Sequence, residues 1–102
     1  LSEIFIHDAI NLAGSPLPEA QIYERDIQMI RDCDAVIAEV TNPSLGVGYE
    51  LAYSEQIGKP ILCLFNASSG RSLSAMVSGN PYNVVEHVAE DTIDKVIKDF
   101  LM

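Results

Sequence analysis

Residues Asp34 to Leu51 read DAVIAEVTNPSLGVGYEL, and this stretch decides the fold. The run Ala35, Val36, Ile37 and Ala38 is apolar at successive positions, as suits a strand covered on both faces of a parallel sheet. It breaks into Thr41-Asn42-Pro43-Ser44, passes Gly46 and Gly48, and reaches the carboxylate of Glu50 as a helix begins. A strand that stops at a polar, glycine-bearing turn brings the free N–H groups of the next helix to the carboxyl edge of the sheet. Ligands of open α/β sheets bind there. Glu50 is therefore expected at a pocket mouth, close to backbone donors that favour its ionised form.

Outward from this stretch, Ile4 to His7 reads as a short strand and residues 11–19, with Gly14, Pro16 and Pro18, as a loop. From Glu19 to Asp32 the apolar residues Ile22, Ile27, Met29 and Ile30 fall mostly on one helical face, opposite Glu24, Arg25, Gln28 and Arg31. Strands are expected over Asp34 to Val40, Pro60 to Phe65 and Tyr82 to Val88. Helices are expected over Gly46 to Ile57, Arg71 to Val77 and Asp91 to Leu101, with Gly58-Lys59 as a turn. This alternation predicts a single α/β domain over residues 1–102, a parallel sheet with right-handed crossovers and helices on both faces. Ile4 to His7 is short and weakly apolar for an opening strand. It reads as an inner piece of a longer α/β chain, N-terminally incomplete, with a first strand and helix missing.

At 102 residues and 48% hydrophobic, the chain has the composition of a globular protein. Its net charge of −9 argues against nucleic-acid polymers, which need a basic face, but not against a small anion held by helix N-termini and hydroxyls. No apolar run approaches the ~18 residues of a membrane span, and the start LSEIFIHD lacks the basic region and cleavage site of a signal peptide. Cys33 and Cys63 fall on expected core elements. They read as small buried hydrophobes in a reducing compartment, and the chain as cytoplasmic, with the nucleus as a second location.

Asp26 lies on the helix before the central strand and Glu50 on the helix after it, so adjacent crossovers can bring both acids to one sheet edge. Two carboxylates in unequal environments are what glycosyl transfer uses, about 5 to 5.5 Å apart in retaining enzymes. The plainer alternatives are a solvated surface acid for Asp26 and a helix-dipole partner for Glu50. Ser44 and Ser74 are hydroxyls at a loop and near a helix start. Ser68-Ser69-Gly70-Arg71 has the composition of an anion cradle or of ordinary serine capping. A cation such as Arg71 at a helix start hints at a nearby anion. His7 and His87 read as structural. No metal-ligand spacing is present, since two histidines and two cysteines are scattered over four elements. Nor is there a Walker motif or a GxGxxG.

At YERD (Tyr23 to Asp26), DAVIAEVTNPSLGVGYEL, KPILCLF (Lys59 to Phe65) and SGRSLSAM (Ser69 to Met76), the chain resembles the nucleoside 2-deoxyribosyltransferase superfamily. It is most similar to the branch of 2'-deoxynucleoside 5'-phosphate N-hydrolases. The resemblance implies a flavodoxin-like sheet, no cofactor, and a homodimer with a shared active site. It also implies cleavage of deoxynucleoside 5'-monophosphates to free base and 2-deoxyribose 5-phosphate. Position by position, Glu50 matches the nucleophile that forms a glycosyl-enzyme intermediate, and Asp26 the acid that orients or protonates at the base and sugar side. Ser44 matches a phosphate-binding hydroxyl, Gly46 and Gly48 the backbone that lets the phosphate approach, and Ser74 a serine reaching it from the neighbouring subunit.

Transferases that act on unphosphorylated nucleosides resemble this motif but carry an acid where Ser44 stands. That acid would repel a phosphate dianion by several kcal/mol, in order of magnitude, at reduced dielectric. Ser44 therefore favours the monophosphate hydrolase over base exchange between deoxynucleosides. A third reading is a nucleotide-binding module without turnover, because the family's opening strand and glycine-rich turn are not among these residues. That strand is central in the family's sheet, so a groove is expected between the strand at Ile4 and the strand at Val36. A nucleophile that must be ionised and a base that must be protonated also imply a bell-shaped pH–rate profile.

Overall fold

A computed structural model describes residues 3–7 and 17–102, and the loop expected over 11–19 lies mostly outside the described residues. Four strands are present: β1 (Ile4–His7), β2 (Ala35–Glu39), β3 (Ile61–Asn66) and β4 (Val84–Val88). They form one parallel sheet in the order β1-β2-β3-β4. The helices are α1 (Glu19–Asp32), α2 (Leu45–Gln56), α3 (Ala75–Ser78) and α4 (Ile93–Leu101).

The two faces of the sheet are distinguished by alternation along each strand. Val36, Ala38, Ile61, Cys63 and Phe65 point to one face. There they meet Ile30 and Cys33 from the end of α1, Val47 and Leu51 of α2, and Leu73 and Val77 around α3. Ile37, Leu62 and Leu64 point to the other, against Ile93, Val96, Ile97 and Phe100 of α4. The expected parallel sheet with helices on both faces is thus present, and both cysteines are buried within it. At Cys63 burial pushes the thiol up to about 11.

The expected groove between the strands at Ile4 and Val36 is not present. β1 and β2 are direct neighbours, with Ile4 opposite Ala35 and His7 opposite Ala38, and Asp34 N donates to Glu3 O at 2.7 Å just before the ladder. Direct pairing satisfies backbone groups that a groove would leave open. It also carries the end of β1 to the carboxyl edge of β2.

Serines and glycines set the helix boundaries. Ser44 is the N-cap of α2, its Oγ accepting from Val47 N at 3.3 Å, so the helix starts one residue before the expected Gly46. Gly58 ends the turn after α2 with φ +79°, a conformation that favours glycine. The helix expected over Arg71 to Val77 is shorter and later. Ser74 Oγ accepts from Met76 N and opens α3 at Ala75, while a 3₁₀ turn over Ala67–Ser69 stops at Gly70, φ +76°. Arg71 is therefore at no helix start, and its hint of an anion disappears. β4 begins at Val84, because Asn80 Oδ1 ties Tyr82 N into a turn. A 3₁₀ turn, Glu90–Thr92, precedes α4.

Candidate active site

Three polar side chains meet where β1, α1 and α2 converge. His7 is the last residue of β1, and its Nδ1 abuts Oε1 of Glu50. Asp26 reaches the same point from α1. Glu50, Asp26 and His7 are only 8%, 6% and 3% exposed, so three ionisable groups share one buried site. Their nearest donor and acceptor atoms all lie within 4.8 Å of one another. Among the described residues, His7 Nε2 is buried without a hydrogen-bond partner.

The sequence placed Asp26 and Glu50 on helices that could reach one sheet edge without showing that they meet, and it gave His7 as structural; the fold brings all three together. The available signal was positional. A histidine at the carboxyl end of a parallel strand stands where such sheets bind ligands. His87, the other histidine, is exposed and packs edge-on to Phe65 at 5.6 Å between ring centres. Nor did the spacing show any set of metal ligands, yet an imidazole nitrogen and two carboxylates from three elements now stand close enough to converge on one cation.

The two acids differ in surroundings. Arg25 donates from Nε to Asp26 Oδ1 at 3.0 Å, so Asp26 has a cation beside it. Burial pushes the Glu50 carboxyl above its usual range; the His7 contact opposes that shift and the neighbouring Asp26 adds to it. This corrects the expectation that helix N–H groups would favour the ionised form. Glu50 lies in the second turn of α2, beyond the free donors of the first. Its own carbonyl accepts from Ser54 Oγ at 2.6 Å.

A cavity of about 510 Å³ lies on another side of α2, against the segment that leads into β4. Ser44, Gly48 and Ser74 line it, with Asn42, Glu55 and Asn83. Glu50 is not part of its lining. Ser44 and Ser74 of one and the same chain reach the cavity. A Cβ on Gly48 would meet nothing within 4 Å, and one on Gly46 would meet only Ser44 Oγ at 3.8 Å. Two glycines in the opening turn of a helix, with space beside them among the described residues, leave that backbone open to a ligand.

A family model described as nucleoside 2-deoxyribosyltransferase matches residues 6–89, which takes in the acid cluster and the lining of the cavity. The chain belongs to this family. Within this deoxyribosyltransferase family it is 49% identical over 82 residues to a 5-hydroxymethyl-dUMP N-hydrolase of Tetraodon nigroviridis, covering 78% of the chain and 58% of the relative. A Danio rerio protein of the same name is 38% identical over 104 residues, covering 98% and 73%. One from Mus musculus is 62% identical over 58 residues, covering 57% and 34%. The chain thus spans from about a third to three quarters of the length of these curated relatives.

Proposed function

We propose that this chain forms the catalytic part of an N-glycosidase that cleaves 2'-deoxynucleoside 5'-monophosphates to free base and 2-deoxyribose 5-phosphate. The observation that carries the reading is the buried Asp26–Glu50 pair, whose nearest oxygens fall within 4.8 Å. That is closer than the separation of about 6.5–9.5 Å that leaves room for an attacking water, and it favours a covalent route. Relatives named as N-hydrolases of a deoxynucleoside monophosphate support the substrate class.

In this mechanism an oxygen of Glu50 attacks C1' as the C–N bond breaks, and the bonding electron pair leaves with the base, which takes the proton of Asp26. Water then attacks C1' of the glycosyl ester, Asp26 accepts its proton, and Glu50 is released as carboxylate. His7 Nδ1 holds the attacking oxygen and favours its anionic form. Ser44 and Ser74 donate to the 5'-phosphate, which approaches the backbone at Gly46 and Gly48. A carboxylate at position 44 would repel that dianion, so serine there supports phosphate over a free 5'-hydroxyl. The proposal includes a homodimer acting in the cytoplasm and the nucleus.

Incubating the complete protein with each deoxynucleoside monophosphate and following free base tests the reading. Base release is expected, and Glu50→Gln is expected to lower it by at least about 10³-fold, since an amide cannot form the ester. Turnover by Glu50→Gln at the wild-type rate would overturn it.

A further inference from the structure

The chain holds only six lysines and arginines, and one of them sits against the acid cluster. Arg25 precedes Asp26 directly. Neighbouring positions on a helix do not face each other, yet Arg25 Nε folds back to 3.0 Å from Asp26 Oδ1. Asp26 is buried while the arginine side chain keeps 39% of its surface exposed. A cation at the rim thus grips an acid in the interior. Among the described residues, that acid meets His7 from β1, Arg25 on its own helix, and Glu50 from α2. The guanidinium supplies positive charge beside a pair of carboxylates from outside.

We propose that Arg25 is a positioning residue, which fixes Asp26 Oδ1 so that the carboxylate stays turned towards Glu50. The role rests on the glycosidase reading above, because it acts through an acid of that mechanism. Arg25 touches no reacting atom. It keeps Asp26 in one orientation through turnover and makes negative charge at the pair easier to hold. Removing it therefore favours protonation, so the acid limb of the pH–rate profile moves to higher pH.

The test compares Arg25→Gln and Arg25→Lys with wild type in the complete protein. Arg25→Gln is expected to lower kcat about 10-fold with KM changed less than about 2-fold, and to shift the acid limb upward. Arg25→Lys, which keeps a point charge without the planar fork, is expected to restore the limb more than the rate. In an Asp26→Asn background Arg25→Gln is expected to have no further effect, a coupling that a purely structural residue would not show. A wild-type kcat and limb in Arg25→Gln would overturn the role. Carboxyl ¹³C NMR titration needs no turnover and separates this inference from the functional reading. Upward midpoints for the acid pair in Arg25→Gln support the electrostatic grip even if the wild type releases no base, and unchanged midpoints overturn it.

Discussion

Glu50 is asked to be an anion in a place that disfavours anions. Burial raises its carboxyl pKa in the fold, with Asp26 adding and His7 opposing. A raised folded-state value means that the native state binds the proton more tightly than the unfolded chain. The stability this provides is fully present below the unfolded carboxyl pKa, near ~4.3, and is lost as pH rises through the folded value. Glu50→Gln removes the charge and should melt above wild type at pH 7 to 8, by about 4–8 °C for each kcal/mol relieved in a domain of this size. The difference should vanish near pH ~4. Calorimetry across that range checks it, and parallel curves for the two proteins would contradict it. Both acids of the site were legible because each lies on a helix flanking one recognisable strand. His7 was not, because a single histidine at a strand end looks the same in sequence whether it packs in a core or faces an acid.

The first turn of α2 illustrates how an element can trade stability for access. Glycine inside a helix costs about 1 kcal/mol relative to alanine, and Gly48 has open space where a Cβ would stand, at the edge of the cavity lined by Ser44 and Ser74. Gly48→Ala should therefore raise the melting temperature while raising KM for a deoxynucleoside monophosphate by about 10-fold. Unchanged KM alongside higher stability would remove the cavity from the proposed substrate path. Long elements with a strong apolar pattern, α1, α2, β2 and β3, were legible to within a residue or two. Of the shorter ones β1 matches its expected range, β4 and α4 start two residues late, and only α3 departs further. Around α3, serine side chains at 69 and 74 bind local backbone N–H groups, and such bonds compete with helix formation in ways that composition does not reveal. Nor did the apolar pattern of α2 show that Glu50 would sit a full turn inside the helix, beyond its free N–H groups.

At the scale of the whole molecule, the class of sheet followed from the alternation of elements, but the neighbours of each strand did not. A strand apolar on both faces carries the same pattern beside any partner, so direct pairing of β1 with β2 was not legible where a groove was expected. That pairing is what brings His7 to Glu50. The acid cluster and the cavity lie on different sides of α2, and the proposed function requires one nucleotide to engage both, with phosphate at Ser44 and Ser74 and C1' at Glu50. The most direct test is mass spectrometry of the complete protein acid-quenched during turnover of a deoxynucleoside monophosphate. The proposed mechanism predicts a deoxyribose 5-phosphate adduct on the peptide carrying Glu50, absent from Glu50→Gln. Sustained base release with Glu50 unmodified, or an adduct at another side chain, would contradict it.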